Sequence, residues 1–157
     1  MPQTAHCEET STTDDWFKEG DGTEDEKIKE ILTTYRRIAV VGMSKDPQKD
    51  AQRIPMYLKN AGFEIIPVNP TATEIAGMKV YGSLSEIPFD FDIVQIFRPS
   101  EAVPPIVDEA LKTKAKVIWM QLGIRNEDAA RKARMAGKIV IQDRCMMIEH
   151  RRLIKPD

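Results

Sequence analysis

Five short runs of mainly aliphatic residues alternate with amphipathic stretches, and this alternation constrains the fold more than any other feature of the sequence. The runs are IAVVG (38–42), EIIPV (64–68), DIVQIF (92–97), KVIWM (116–120) and KIVIQ (138–142). Short, nearly continuous apolar runs are typical of parallel strands that are covered on both faces. Alternating strands and helices imply right-handed crossovers. We therefore expect an α/β fold: a Rossmann-like, doubly wound, mainly parallel sheet of five to six strands with helices on both faces.

The stretches between the runs predict the helices. IPMYLKNAG, VPPIVDEALKT and NEDAARKARMAG have a helical pattern, and two of them end in Ala-Gly, a common helix stop. A further helix is predicted from Thr23, because Thr23 and Glu26 have the spacing of a capping box. Pro55 predicts that the first crossover helix begins late, near 52–54, with the proline in its first turn. A short additional strand is predicted at 79–81.

The first 22 residues differ in composition from the rest of the chain. They are rich in Thr, Asp, Glu and Ser, with Trp16 and Phe17 as their large apolar residues, which predicts a mostly disordered acidic tail followed by a single domain over 23–157. Residues 1–30 carry a net charge of −7 and residues 31–157 a net charge of +5. The basic charge of the body forms no dense stripe, so we expect a small anionic ligand and not nucleic acid.

Two further features concern the cellular location. No apolar run approaches the roughly twenty residues that span a bilayer, and the N-terminus is acidic, so we expect neither a membrane anchor nor a secretory signal. Cys7 and Cys145 are the two cysteines, and one of them falls in the acidic tail, which fits a reducing compartment. The sequence therefore predicts a cytoplasmic protein without a disulfide framework or metal-ligand spacing.

The predicted topology indicates where a ligand would bind. In an open parallel sheet the ligand lies beyond the carboxyl ends of the strands, at the point where the strand order reverses. The loops concerned are 42–47, 69–71, 98–100 and 121–125. Gly42 allows a sharp turn and a close approach to a ligand, and Ser44, Lys45 and Lys49 add a hydroxyl and two cations beside a helix N-terminus. The pattern predicts a phosphate-binding loop, and a plain turn with solvated lysines is the alternative.

Common nucleotide motifs are absent from this loop. Ser44 stands where a G-x-G-x-x-G motif requires its second glycine, and the Walker A pattern does not occur. The second run ends in Val68-Asn69-Pro70, so it lacks the acidic residue that holds an NAD ribose. These departures disfavour both NAD and a nucleotide-hydrolysing P-loop.

Candidate catalytic groups are few. His6 falls in the predicted tail, and His150 follows the last run, where we expect a solvated helix end. Cys145 is expected to be a packed residue. The alternative for Cys145 is a reactive thiol at the binding edge, activated by Arg144. No complete catalytic apparatus is predicted.

Residues 37–153 closely resemble the stand-alone CoA-binding domain proteins, relatives of the domain that begins the alpha subunit of succinyl-CoA synthetase. The resemblance rests on IAVVGMSKDP, IIPVNPT, KVYGSLSEIP, IFRPSEAVPPIVDEA, VIWMQLGI and QDRCMMIEHRRL, in this order. It implies phosphates near 42–45, adenosine near 69–71 and Arg98, and closure of the site by 121–123. The implied ligand-binding residues are Gly42, Met43, Ser44, Lys45, Lys49, Asn69, Pro70, Thr71, Phe97, Arg98, Pro99, Gln121 and Gly123.

One departure from the family pattern concerns the first loop. Members often carry Arg followed by Pro-Ser where this chain has Lys49-Asp50-Ala51, so a charge is kept but a fork-shaped phosphate clamp is lost. The phosphohistidine of the synthetase belongs to a second domain, so ligase activity is not expected of this chain. The resemblance implies a module, carrier or sensor that binds coenzyme A or an acyl-CoA. The alternatives are an NADP-linked oxidoreductase fragment, half of an acyl-CoA ligase completed by a protein partner, and a structural protein with a vestigial cleft.

Overall fold

A parallel sheet runs through the middle of the structure, a computed structural model that describes residues 23–154. Its strands, in chain order, are β1 (Arg37–Val41), β2 (Glu64–Val68), β5 (Ile93–Ile96), β6 (Val117–Met120) and β7 (Ile139–Ile141), and β3 (Glu74–Ile75) and β4 (Met78–Lys79) form a separate hairpin. The order across the sheet is β2-β1-β5-β6-β7, and every neighbouring pair is parallel. The predicted α/β fold class is therefore confirmed, with five strands in the main sheet.

Helices cover both faces of this sheet. They are α1 (Glu24–Thr34), α2 (Asp50–Asn60), α3 (Val103–Ala110), α4 (Glu127–Met135) and α5 (Met146–Leu153). One core cluster joins α1, α2 and α5 to one face, and a second joins α3 and α4 to the other. The strands alternate between the two clusters, so Ile93 packs into the first and Val94 into the second. Burial on both faces explains why the strands read as continuous apolar runs.

The capping box at the start of α1 is confirmed. The Thr23 hydroxyl accepts from the Glu26 amide at 3.1 Å, and the Glu26 carboxylate accepts from the Thr23 amide at 3.3 Å. The short strand predicted at 79–81 differs in detail. Its first residue belongs to the hairpin, and Tyr81 forms an isolated parallel bridge with Val68 at the end of β2.

The prediction for Pro55 is wrong, because α2 begins at Asp50 and Pro55 lies inside the helix. A proline in a helix interior has no N–H to donate to the carbonyl four residues earlier, here that of Ala51. The Ser44 amide donates to that carbonyl instead, at 3.1 Å. A contact with the preceding loop thus occupies the acceptor that the proline leaves, and the helix extends over its full length.

The prediction of a solvated His150 is also wrong, because this residue is only 6% exposed. Helix α5 packs against α1 and α2, which places the imidazole beside the rings of Tyr57 and Phe63. The Tyr57 hydroxyl and His150 Nδ1 are 2.9 Å apart. Cys145 is 4% exposed, in agreement with its interpretation as a packed residue.

The predicted acidic tail, with Trp16 and Phe17, lies outside the described residues. Between residues 23 and 154, none of the helices is long and apolar enough to cross a membrane.

Candidate functional site

A cavity of about 850 Å³ opens at the carboxyl ends of β1 and β2 and beside Arg98, which follows β5. The chain passes from β1 to β2 on one side and then crosses to β5 on the other, so the strand order reverses at this point. Nine of the thirteen predicted ligand-binding residues line the cavity: Gly42, Met43, Ser44, Lys45, Lys49, Asn69, Pro70, Thr71 and Arg98. Three of the four loops chosen from the topology rule, 42–47, 69–71 and 98–100, thus contribute to the cavity, and the loop 121–125 does not line it.

The other four predicted residues lie outside the cavity lining. Phe97 contributes its backbone next to Gly42, and Pro99 is exposed just after Arg98. Gln121 is 4% exposed and accepts from the Met146 amide at 2.9 Å, at the start of α5. The Gly123 amide donates to the Asp143 carboxylate. A ligand role for these four residues stays a prediction.

One wall of the cavity was missed by the sequence analysis. It consists of Gly82, Ser83, Leu84, Ile106 and Glu109. A signal for the first part of this wall existed, because the short strand predicted at 79–81 ends beside Gly82. In the structure Tyr81 forms an isolated parallel bridge with Val68, which places Gly82 at the edge where the cavity opens. Ile106 and Glu109 are three positions apart on α3, so both lie on the helix face that borders the cavity.

Gly42 shapes the floor of the cavity. Its φ of +91° lies in the region that favours glycine, and its amide extends the sheet by donating to the Val68 carbonyl at 2.9 Å. A β-carbon at this position would stand 3.0 Å from Arg98 Cδ and 3.0 Å from the Phe97 carbonyl oxygen. The absence of a side chain therefore lets the loop after β1 and the Arg98 side chain approach each other.

Asn69 joins two of the loops. Its side-chain amide donates to the Met43 carbonyl at 2.9 Å, and its side-chain oxygen accepts from the amide and the hydroxyl of Thr71, each at 2.8 Å. Asn69 therefore holds the loop after β1 and the loop after β2 in one arrangement. At the same position in the fold, an acidic residue would bind the ribose of NAD.

The charged groups around the cavity favour an anion. Lys45, Lys49 and Arg98 line it, and none of the three has an ion-pair partner within residues 23–154. Lys49 is also the N-cap of α2 and makes no side-chain capping bond among the described residues. The positive end of that helix therefore adds to the three cations.

Two carboxylates also line the cavity, those of Asp46 and Glu109. Each one accepts from a backbone amide of its own wall: Asp46 from Gln48 at 2.9 Å and Glu109 from Ser85 at 3.0 Å. Three cations and two carboxylates line the cavity, so its charged side chains carry a net positive charge.

An open parallel sheet with a cationic cleft at its switch point defines a Rossmann-like ligand-binding domain. A comparison with known families makes the class specific: the model of the family described as "CoA binding domain" matches residues 36–151. The chain belongs to this CoA-binding domain family.

Three relatives show how the similarity is distributed. The chain is 44% identical over 124 residues to the uncharacterized protein YneT of Bacillus subtilis, covering 79% of this chain and 92% of that protein. A solved structure of a hypothetical protein from Pyrococcus horikoshii superposes with a TM-score of 0.80 at 42% identity, covering 83% of this chain and 92% of the other. The ADP-forming acetate–CoA ligase of Methanocaldococcus jannaschii is 33% identical over 81 residues, which are 52% of this chain but only 12% of the ligase.

Proposed function

We propose that this chain binds coenzyme A or an acyl-CoA in the cavity at the carboxyl edge of the sheet and acts as a binding module, carrier or sensor. The observation that carries the proposal is the packing of Arg98 over Gly42 in a cavity that Lys45 and Lys49 also line. CoA presents a pyrophosphate and a ribose 3'-phosphate, and charge-assisted hydrogen bonds to such groups are the strong ones. The phosphates then lie at the Gly42 loop and at the N-terminus of α2.

Two further features support CoA over a dinucleotide. The side chain of Asn69 is engaged with Met43 and Thr71, and it carries no charge to bind a ribose diol. The wall that includes Gly82 and Glu109 also contributes the apolar, partly buried side chain of Ile106, which suits the uncharged pantetheine arm. A volume of about 850 Å³ is within the usual range for ligand pockets, roughly 300–1,000 Å³.

A second candidate is the CoA-binding, non-catalytic half of an acyl-CoA ligase that a partner chain completes. The match to the acetate–CoA ligase supports this candidate, because this chain corresponds to only a part of that enzyme, 12% of its length. Both candidates place CoA in the same cavity and differ in whether a second protein acts on the bound thioester. A cytoplasmic location remains part of the proposal in either case.

Titration calorimetry of the full chain with CoA, acetyl-CoA, dephospho-CoA, NAD and NADP tests the ligand assignment. We expect CoA to bind more tightly than dephospho-CoA, and both to bind more tightly than NAD. Tighter binding of NAD or NADP than of CoA would overturn the assignment. Purification of the tagged chain from its own cells in the presence of CoA separates the two candidates, because only the second requires a co-purifying chain with ligase activity.

A further inference from the structure

Helix α2 carries a proline at an interior position, where the ring removes a helical hydrogen bond. Pro55 is buried and is the sixth residue of the helix that begins at Asp50. The carbonyl that loses its helical donor is that of Ala51, four residues earlier. Ala51 also lines the cavity, so the carbonyl that the proline leaves without a helical donor belongs to a residue of the candidate site.

Ser44 in the loop after β1 is held through this carbonyl. Its amide donates to the Ala51 carbonyl at 3.1 Å, and its own carbonyl accepts from Gln52 Nε2 at 2.9 Å. Gln52 is only 7% exposed. Both main-chain polar groups of Ser44 are therefore bound to the first turn of α2. Lys45 follows Ser44 directly, so these two hydrogen bonds fix the position from which the Lys45 side chain reaches the cavity.

We infer that Pro55 is a positioning residue for the proposed CoA site, because it reserves the Ala51 carbonyl for the loop that carries Ser44 and Lys45. This inference rests on the proposed function. With any other residue at position 55, a new N–H would point along the helix at the same carbonyl oxygen and compete with the Ser44 amide. The loop would then lose part of its attachment although every side chain of the cavity is unchanged.

The test compares Pro55→Ala with Pro105→Ala in the full chain. Pro105 is exposed in the first turn of α3 and lies outside the cavity lining, so its replacement controls for a general effect of removing a helical proline. We expect Pro55→Ala to speed hydrogen exchange of the Ser44 amide, measured by NMR without ligand, and to weaken CoA binding by about two- to tenfold, the range for one hydrogen bond. The control should change neither quantity.

A second pair of variants keeps the test decisive. Pro55→Val supplies the same N–H with a side chain nearer in size to the ring, in case Pro55→Ala does not fold. Gln52→Met removes the other bond to Ser44 and should also weaken CoA binding while leaving Pro55 in place. Unchanged Ser44 exchange and CoA affinity in a folded Pro55 variant would overturn the inference. Failure of the wild-type chain to bind CoA would instead overturn the proposed function, and the exchange measurement would still decide whether Pro55 fixes the loop.

Discussion

Arg98 packs its side chain directly over Gly42, with Cδ 3.0 Å from the position that a β-carbon at Gly42 would take. The two residues follow neighbouring strands, β1 and β5, on either side of the point where the strand order reverses. A glycine on one strand end thus makes room for the cation on the other.

Gly42→Ala should destabilise the fold more than the same change at Gly137. The two glycines have nearly the same φ, +91° and +90°, so the backbone strain of about 1–3 kcal/mol is common to both. An added β-carbon at Gly137 meets nothing within 4 Å, whereas at Gly42 it meets Arg98 Cδ and the Phe97 carbonyl. We expect an additional loss of about 1–3 kcal/mol for Gly42→Ala. Urea unfolding of both variants measures the difference, and equal losses would show that the close approach is unimportant.

Arg98→Ala should weaken CoA binding by about one to two decades in dissociation constant, since a hydrogen bond to a charged group contributes about 1.5–3 kcal/mol. Arg98 is exposed and has no ion-pair partner among the described residues, so the melting temperature should stay close to that of the wild type. Arg131→Ala is the matched control, because Arg131 is exposed on α4 and pairs with Asp128 away from the cavity. Calorimetry at two salt concentrations should show that Arg98→Ala also reduces the salt dependence of binding.

Tyr57→Phe should lower the free energy of unfolding by about 0.5–1.5 kcal/mol, the usual contribution of one hydrogen bond. The phenylalanine keeps the edge contact with the His150 ring and loses only the hydroxyl that lies 2.9 Å from His150 Nδ1. Burial raises the pKa of Tyr57, so its hydroxyl remains protonated at neutral pH. Denaturant melts of Tyr57→Phe and of Tyr35→Phe, a tyrosine on the same side of the sheet with no such partner among residues 23–154, provide the comparison. An unaltered stability for Tyr57→Phe would contradict the role of this bond.

Acid should weaken the attachment of α1 to α5. Arg152 donates to both carboxylate oxygens of Asp25, at 2.7 and 3.0 Å, and this hydrogen bonding lowers the pKa of Asp25 below its ordinary 3.8. A lowered pKa in the folded state means that the stabilisation is present above the ordinary value and is lost as the pH falls through the lowered one. Asp25→Asn should flatten the acid limb of stability plotted against pH. Arg152→Gln should do so too, and it also removes the bond from Arg152 to the buried Glu149 carboxylate, so adding Asp25→Asn to Arg152→Gln should change the acid limb no further. Additive effects in the double variant would show that the two residues act separately.

The sequence was sufficient for the parts of the fold that local patterns encode. The continuous apolar runs predicted the strands, the Thr23 capping box predicted the start of α1, and the topology rule led to the loops around Gly42 and Asn69. The residues that specify a strand or a helix cap are close together in the chain. The position of the loops follows from the alternation of strands and helices, which limits the possible sheet order.

The failures came from contacts between different structural elements, which the pattern of one segment does not encode. His150 is buried because Tyr57, 93 residues away, provides a polar partner and α5 lies across α2. Pro55 is tolerated inside α2 because the Ser44 amide takes the place of the missing helical donor. The wall with Ile106 and Glu109 depends on where α3 lies against the turn that follows Tyr81. No local pattern encodes these partners, so their effects appear only in the folded structure.

The packing of α5 has a consequence for folding on the ribosome. Met146 is fully buried between sheet and helices, its amide binds the Gln121 side chain, and α5 contacts both α1 and α2. The first helix of the described chain therefore gains part of its partner surface only after the last helix has been synthesised. Ile28, Ile31 and Leu32 of α1 share a core cluster with Met146 and Met147 of α5, so this cluster is incomplete until α5 is in place. We expect the domain to fold as one unit, so that protease resistance appears in one step and only when residues 146–153 have docked.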